Sequence, residues 1–333
     1  MKNIYSLKKS YIECHKIFKK HAKTYYLGAL LFDYKKFLYI CSFYGFVRIV
    51  DDFIDMEDNM DLKTENIKNF KTKFYELYNK DIKTRKKMVK DDAVWENYHP
   101  IMRAVIDTIN KIDIKREIFE KYFKSMEMDL DKHSYDNYDD LEEYMDGSAA
   151  IIGEVMLEII KYENKSPIYL IPEMKKYARD LGFAFQLTNF LRDIKEDMDM
   201  KPSRIYIPKD CQNNKKCILA NLNDETQMRG LKNNNEFKEL IESELIKCDK
   251  IYKSADIGIK NIDNKYRQPI YVAKLLYSEI NNKIREKDYD ISSRVSISSF
   301  QKIKILYKNL GLFKFVQTIV ILIVNYIRYN FIY

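Results

Sequence analysis

Residues 44–55 read YGFVRIVDDFID, an apolar run that carries one arginine and three aspartates. Side chains four residues apart lie on one face of an α-helix, so Asp51 and Asp55 point the same way. Asp52 lies about 100° round the axis, because a helix has 3.6 residues per turn. Burying this much charge is costly unless it is paired. The stretch predicts a buried helix with a polar stripe made of Tyr44, Arg48, Asp51 and Asp55.

A second stretch, residues 184–197 with the sequence AFQLTNFLRDIKED, repeats this arrangement. Asn189, Asp193 and Asp197 follow one another at intervals of four, and Gln186 lies three residues before Asn189. One such stripe alone would equally suit a solvated helix surface. Both helices, however, are apolar almost all round elsewhere, which is typical of buried helices. Two buried stripes favour a cavity into which both sets of charges face.

The residue types in the two stripes indicate a hard metal ion. Neither stripe contains His or Cys, so zinc is a poor fit. Carboxylate and amide oxygens suit Mg²⁺, with Mn²⁺ as an alternative. Protein-bound Mg²⁺ is usually shared with ligand phosphates, which implies a diphosphate ligand. Arg48, Arg192 and Arg204 supply guanidinium groups for its oxygens. The candidate metal ligands are Asp51, Asp52, Asp55, Asn189, Asp193 and Asp197.

The composition predicts an all-α chain around an apolar interior. The 333 residues include only 8 Gly and 6 Pro, and apolar residues recur at the helical period through most of the chain. Long helices are expected near 35–57, 138–163, 171–198 and 298–328, with breaks at 82–99 and 201–235. The 27 Tyr and 18 Phe can line a pocket that shields a carbocation from water. Together with opposed aspartates and Mg²⁺, this describes a site that ionises a prenyl diphosphate.

These motifs resemble the squalene and phytoene synthase family, whose fold is the isoprenoid synthase helical bundle around a central apolar cavity. YGFVRIVDDFID resembles the family's first aspartate-rich motif. The segment GFAFQLTNFLRDIKEDMDMKPSRIYIP, residues 182–208, resembles the second. HAKTYYLGALL at 21–31 resembles the family's N-terminal diphosphate-contacting segment in its phytoene-synthase form, and YMDGSAAIIGEVM at 144–156 resembles the mid-chain helix of prokaryotic phytoene synthases. MEMDL at 126–130 and residues 271–294 fit further family blocks. The resemblance covers roughly residues 15–300 and predicts a prenyl synthase domain at 1–305.

The resemblance implies a role for each matching position. The residues implied in catalysis are Asp51, Asp55, Asp193, Asp197 and Tyr277. Those implied in substrate binding are His21, Lys23, Tyr44, Arg48, Gln186, Asn189, Arg192, Arg204, Tyr206 and Arg294. The implied reaction is the Mg²⁺-dependent head-to-head condensation of two prenyl diphosphates in carotenoid or isoprenoid biosynthesis. Its form would be geranylgeranyl diphosphate to phytoene through prephytoene diphosphate, without NADPH.

Two alternatives remain open at this point. One is a squalene or dehydrosqualene synthase that uses farnesyl diphosphate. The other is a non-catalytic family member that acts as an assembly factor. Such proteins tend to lose the aspartates, whereas all of them are present here.

Charge and cysteine content bear on partners and compartment. The formal charge of +8 suits nucleic acid, an anionic membrane or phosphorylated ligands. Zinc-finger spacing and RNA-binding aromatic signatures are absent from the sequence, so no nucleic-acid partner is expected. The five cysteines are scattered without a CxxC pair, which indicates reduced thiols in the cytoplasm. The first twenty residues carry no apolar core of signal-peptide length.

Residues 311–333, GLFKFVQTIVILIVNYIRYNFIY, form the most apolar segment of the chain. The apolar run from Leu312 to Ile327 is short of the ~20 residues of a membrane span. Basic residues flank it and aromatic residues follow it, as in helices that lie at a membrane surface. The flanking basic residues are Lys302, Lys304, Lys308, Lys314 and Arg328. The sequence predicts a hydrophobic helix at 306–333 and a peripheral membrane enzyme; a helix packed on the bundle is the alternative.

Overall fold

A computed structural model describes residues 6–332 of the chain, apart from residues 58, 165 and 220–232. In this part of the chain the secondary structure is helical, and the only β-type pairing is an isolated bridge between Ser134 and Ile205. The predicted all-α class is therefore confirmed.

The described residues of the first half form nine helices, with a 3₁₀ turn at Asp92–Asn97 after α5 and a π turn at Asp146–Ala150 before α9. They are α1 (Leu7–His21), α2 (Lys23–Ala29), α3 (Tyr34–Asp55), α4 (Met60–Tyr78), α5 (Ile82–Lys90), α6 (Met102–Ile112), α7 (Arg116–Asp131), α8 (Tyr138–Met145) and α9 (Ile151–Lys161).

The second half, as far as it is described, continues after a short 3₁₀ turn at Pro167–Leu170. Its helices are α10 (Pro172–Arg192), α11 (Ile194–Asp199), α12 (Lys209–Asn214), α13 (Asn235–Asn261), α14 (Asn264–Glu286), α15 (Ser299–Leu310) and α16 (Leu312–Ile327). A π turn at Arg328–Ile332 follows α16.

Two helices predicted as continuous are broken. The predicted helix 171–198 divides at Asp193, where φ is −105° and ψ is 12°. The predicted helix 298–328 divides at Gly311, whose φ of +71° is a left-handed conformation that favours glycine. Apolar periodicity continues through both breaks, so it did not reveal them.

The polar stretch 82–99, predicted as a break, contains α5 and the 3₁₀ turn. Asp81 begins α5, because its Oδ1 accepts hydrogen bonds from the backbone N–H of Lys83 at 2.9 Å and of Thr84 at 3.1 Å. Val89 and Trp95 are buried and attach the segment to the core. Of the predicted loop 201–235, residues 220–232 lie outside the described residues.

The core is a cluster of aromatic rings beside a central apolar cavity. The ring of Phe46 on α3 is fully buried and touches rings from α4 and α7, among them Phe74 at 5.0 Å and Phe119 at 5.4 Å between centroids. The cavity has a volume of about 300 Å³ and is lined by residues of α2, α3, α9, α10, α13 and α14. This arrangement matches the predicted bundle around a central cavity.

Small residues bring helices close together beside the cavity. A Cβ atom on Gly182 of α10 would lie 2.4 Å from the carbonyl oxygen of Ala149, which is too close for any side chain. A Cβ atom on Gly147 would lie 2.0 Å from the carbonyl oxygen of Lys121 on α7. The segment around 147–149 therefore makes a close helix contact beside the cavity.

The helix α16 packs on the bundle through one face only. Thr318 and Leu322 on this face are buried. On the opposite face, large apolar side chains are 49–82% exposed. These are Leu312, Phe313, Val316, Val320, Ile323, Val324 and Ile327. The helix is therefore packed on the bundle and also presents an apolar surface, while attachment to a membrane stays a prediction.

Candidate functional site

The two aspartate motifs meet at the same cavity. Asp51 and Tyr44 reach it from α3, and Gln186 and Asn189 reach it from α10. The helices bring these side chains together because both carry their polar residues on the face that lines the cavity, as the four-residue spacing predicted.

Arg204 links the first motif to the second. Its Nη1 donates a hydrogen bond to Asp55 Oδ1 at 3.2 Å, across 149 residues of sequence. Its backbone N–H donates to the carbonyl oxygen of Asp197 at 2.9 Å. The guanidinium is almost fully buried, with 8% of the side chain exposed, so it needs the negative charges around it.

The first motif holds more negative charge than Arg48 can neutralise. Arg48 Nη2 lies 2.5 Å from Asp52 Oδ1, whereas its Nη1 is 3.9 Å from Asp51 Oδ2. Asp51 lies within the bundle and lines the cavity, and 45% of its side-chain surface is exposed to that cavity. Burial, followed by repulsion from Asp55, raises the pKa of Asp51 well above its usual value.

The second motif contains one paired and one unpaired carboxylate. Arg192 Nε donates to Asp193 Oδ1 at 2.7 Å, and Arg294 Nε forms an ion pair with the same oxygen at 3.2 Å. Burial and repulsion from Asp193 raise the pKa of Asp197 to about 8. The break in the helix at Asp193 does not separate these groups, since the backbone N–H of Asp197 still donates to the Asp193 carbonyl oxygen at 2.8 Å.

A hydrogen-bonded chain runs along the cavity wall from α14 to α10. The Tyr277 hydroxyl donates to Asn189 Oδ1 and accepts from Arg192 Nη1 at 3.1 Å. Asn189 Nδ2 in turn donates to Gln186 Oε1 at 3.1 Å. The ring of Tyr277 is stacked on Tyr25, with 4.5 Å between centroids. These contacts fix the orientation of Asn189, which presents an amide to the cavity.

The remaining predicted residues lie around this centre. Burial and then the charge of Arg48 lower the pKa of His21, while Asp52 opposes them, so His21 lies beside the first motif. Lys23 is exposed at the start of α2. Tyr206 does not line the cavity; its ring is stacked on Phe190 at 4.0 Å and packs the Arg204 segment against α10.

The sequence did not single out Asp129 or Tyr144 as site residues. Asp129 on α7 is 5% exposed, and its Oδ2 accepts a hydrogen bond from the Tyr144 hydroxyl at 2.7 Å. Burial raises the pKa of Asp129 to about 7, although the charge of Arg204 opposes this effect. Tyr144 lines the cavity. The available signal was an aspartate on the apolar face of α7, in the MEMDL block.

The acidic residues fit a divalent cation that is completed by ligand oxygens. Among the residues that the structure describes, no three His, Cys, Asp or Glu side chains stand close enough to hold a metal by themselves. The acids instead form the pairs Asp51 with Asp55 and Asp193 with Asp197, all with oxygen donors. Like charges that repel one another are stabilised by a cation. Two carboxylates with further oxygens from a phosphate are a usual environment for Mg²⁺.

Comparison with known proteins identifies sequence relatives. A phytoene synthase of Narcissus pseudonarcissus is 25% identical over 91% of this chain and 66% of its own length. A phytoene synthase of Arthrospira platensis is 25% identical over 89% of this chain and 91% of its own length. The chain therefore spans just under two thirds of the plant relative and most of the cyanobacterial one.

Solved structures share the fold. A dehydrosqualene synthase in complex with a ligand superposes with a TM-score of 0.73 at 22% identity, covering 91% of this chain and 95% of that one. A squalene synthase of Alicyclobacillus acidocaldarius gives a TM-score of 0.65 at 19% identity, covering 85% and 96% of the two chains. Both likenesses confirm the isoprenoid synthase fold that the sequence motifs predicted.

The family model described as Squalene/phytoene synthase matches residues 18–301, which include both aspartate motifs, Arg204 and Tyr277. With this match, the chain belongs to the squalene/phytoene synthase family.

Proposed function

We propose that the protein is a prenyltransferase that joins two prenyl diphosphates head to head. The observation that carries this proposal is that both aspartate motifs converge beside an apolar cavity, where burial and repulsion between neighbouring carboxylates raise the pKa of Asp51 and Asp197. Such a site binds a charged diphosphate at the acidic end and an isoprenoid chain along the apolar wall. The phytoene synthase relatives support the same reaction.

The residues of the cavity suit an ionisation reaction. The C1–O bond of the first substrate breaks, and the electron pair leaves with the diphosphate. Arg48, Arg192 and Arg204 stand beside the aspartates and stabilise this developing negative charge. A bound divalent cation would supply further neutralisation of the leaving diphosphate. The residues that would hold it are Asp51, Asp52, Asp55, Asn189, Asp193 and Asp197.

The apolar wall protects the positive carbon that is left. The C2–C3 double bond of the second substrate attacks the C1 cation, and loss of a proton gives a cyclopropylcarbinyl diphosphate. Aromatic side chains such as Phe43, Tyr122 and Phe185 line the cavity and exclude water from the cation. The second ionisation and rearrangement then take place in the same enclosure.

We favour geranylgeranyl diphosphate as substrate and phytoene as product, formed by loss of a proton without NADPH. The segments at 21–31 and 144–156 support this choice, as do the relatives named phytoene synthase. A second candidate is a dehydrosqualene or squalene synthase acting on farnesyl diphosphate, favoured by the fold similarity to such enzymes. The non-catalytic alternative is less favoured because every acidic position of both motifs is present.

Incubation with each substrate tests the proposal. The purified full chain is given geranylgeranyl or farnesyl diphosphate with Mg²⁺, with and without NADPH, and the hydrocarbons are identified by mass spectrometry. We expect phytoene without NADPH, and none from an Asp51→Asn control. Accumulation of the cyclopropylcarbinyl diphosphate, with hydrocarbon formed only after NADPH is added, would indicate a squalene synthase. No condensation under any condition would contradict the proposed activity.

We further propose that the enzyme works at a membrane surface on the cytoplasmic side. Within the described part of the chain, the segment Leu312–Asn330 is the one helix long and apolar enough to cross a membrane, with a mean hydropathy of 1.4 and 11% of it buried. Its inner face is attached to the bundle, which favours a helix that lies in the interface rather than one that spans. The hydrocarbon product has no polar group, so a nearby bilayer is a favourable destination for it.

A further inference from the structure

The carboxylate of Asp129 is buried and is not part of the cavity lining, and only one of its two oxygens has a hydrogen-bond partner among the described residues. Its Oδ2 accepts the hydrogen bond from Tyr144, but its Oδ1 is buried and has no hydrogen-bond partner. A buried acceptor without a partner is costly, and natural structures rarely keep one without a reason.

Arg204 carries a buried hydrogen-bond donor that also lacks a partner. Its Nη1 is bonded to Asp55, but its Nε is buried and has no hydrogen-bond partner. The charges of Asp129 and Asp55 both favour the protonated guanidinium, and Asp129 contributes more than Asp55. An unpaired donor and an unpaired acceptor thus lie within one electrostatic cluster.

We propose that Asp129 is a positioning residue that takes over Arg204 from Asp55 when a metal–diphosphate assembly binds. The inference rests on the proposed function, since it assumes that Asp55 is among the residues that hold this ligand. An oxygen of Asp55 that binds a cation is no longer available to Arg204. A buried guanidinium that loses its anion is strongly destabilised. Asp129 then supplies the negative charge that Arg204 needs, so that Asp55 is free to bind the cation.

Tyr144 completes this arrangement. Its hydroxyl holds Asp129 Oδ2, and its ring packs with Tyr206 at 5.7 Å between centroids, two residues from Arg204. The Asp129 side chain is therefore fixed on one side, and its free oxygen is the one left for a new partner. In this arrangement the Arg204 guanidinium keeps its position and a counter-charge both before and after the metal–diphosphate assembly binds.

Calorimetric titration with inorganic diphosphate and Mg²⁺ tests the proposal without turnover. Asp129→Asn keeps the shape of the side chain and an acceptor for Tyr144 but removes the charge. We expect it to weaken binding at least tenfold, and Asp129→Glu to restore part of the loss. The matched control is Asp107→Asn, since Asp107 Oδ2 accepts from the Tyr11 hydroxyl at 2.9 Å and does not line the cavity.

The decisive measurement is the coupling to Arg204. In an Arg204→Gln background, Asp129→Asn is expected to weaken binding less than twofold, because the group it serves is gone. Equal effects in both backgrounds, or unchanged binding by Asp129→Asn, would overturn the proposal. If Asp129→Asn fails to fold, Tyr144→Phe replaces it, with an expected weakening of about threefold that also disappears in Arg204→Gln. If the unaltered chain does not bind magnesium diphosphate, the proposed function fails and this inference fails with it.

Discussion

Asn325 on α16 donates a hydrogen bond from Nδ2 to the carbonyl oxygen of Leu30 at 2.7 Å, across 295 residues of sequence. Leu30 directly follows the end of α2, where helix carbonyls lack partners within the helix. The Tyr329 hydroxyl similarly donates to the Phe32 carbonyl oxygen at 2.9 Å. Because α2 carries Tyr25, Gly28 and Ala29 of the cavity wall, α16 supports the cavity although it follows the segment matched by the family model.

Loss of this attachment is expected to destabilise the protein. Asn325→Ala leaves the carbonyl oxygen of Leu30, just after α2, without its partner, so we expect the free energy of unfolding to fall by about 1 kcal/mol. The matched control is Asn309→Ala, since Asn309 bonds only within its own helix, to Ile305 O at 2.8 Å. Denaturant unfolding measures both variants. If the free energy of unfolding falls equally in Asn325→Ala and Asn309→Ala, the hydrogen bond from Asn325 to Leu30 adds no stability beyond that of a bond within a helix.

The outer face of α16 is expected to bind anionic membranes. Replacing Phe313, Val320 and Ile323 by serine removes apolar side chains that are 53–82% exposed and leaves the inner face intact. We expect the full chain to sediment with vesicles of phosphatidylcholine and phosphatidylglycerol at low salt, and the triple variant to remain in the supernatant. Ile257→Ser, which alters a side chain that is 50% exposed on α13, serves as control. If the unaltered chain stays in the supernatant, the membrane proposal is wrong.

The aspartates of the two motifs are expected to differ in their effect on stability. Asp51→Ala and Asp193→Ala should both abolish product formation, because each removes an oxygen ligand next to the leaving group. Asp51→Ala removes a charge that Asp55 repels, so the stability of the metal-free protein should hold or rise. Asp193→Ala instead leaves Arg192, whose side chain is 12% exposed, without its anion. We expect the free energy of unfolding of this variant to fall by roughly 2 kcal/mol, as for the loss of a hydrogen bond between charged groups.

Product analysis and thermal unfolding in EDTA check these expectations. Near-normal product from either variant at saturating Mg²⁺ would contradict the assigned roles. Equal stability of the two variants would show that the ion pair of Asp193 with Arg192 is not a structural element.

The sequence predicted the helical fold and the side of α3 and α10 that faces the cavity, because both depend on spacing along single helices. Asp51 and Asn189 lie where the four-residue intervals put them. The partners of these residues could not be predicted in the same way. The bond from Arg204 to Asp55 depends on how a loop after α11 returns to the end of α3. No local pattern encodes that return.

The elements that were missed share a physical cause. Asp129 looked like an ordinary charge in a helix, and only its burial by Tyr144 and the surrounding rings makes it unusual. Gly311 interrupts a run whose apolar period continues, so a break there depends on φ rather than on composition. The sequence also did not reveal that α16 has one packed and one exposed face. Thr318 and Asn325 look like minor polar interruptions, yet Thr318 accepts a hydrogen bond from Gln268 and Asn325 donates one to Leu30.

The stability of the metal-free protein is expected to depend on pH through Asp197. In the folded state its pKa is raised to about 8 by burial and by Asp193, whereas in the unfolded chain it is about 3.9. Between these values the folded state binds more protons, so the free energy of unfolding falls as the pH rises. Asp197→Asn removes this dependence. Its stability relative to the unaltered chain is therefore expected to increase between pH 5 and pH 8, by about 4 kcal/mol.

Urea unfolding of both proteins in EDTA across this range gives the difference directly, and other titrating groups cancel in it. Asp140→Asn is the control, because the hydrogen bond from Lys132 lowers the pKa of Asp140. The stabilisation by Asp140 is complete above its unfolded pKa and is lost only at more acid pH, so this variant should show a constant difference between pH 5 and 8. Mg²⁺ with diphosphate should remove the pH dependence of the unaltered chain, since a cation favours the ionised carboxylate. If the difference in free energy of unfolding between Asp197→Asn and the unaltered chain does not change with pH, the pKa of Asp197 is not raised in the folded state. Repulsion between Asp193 and Asp197 would then be negligible.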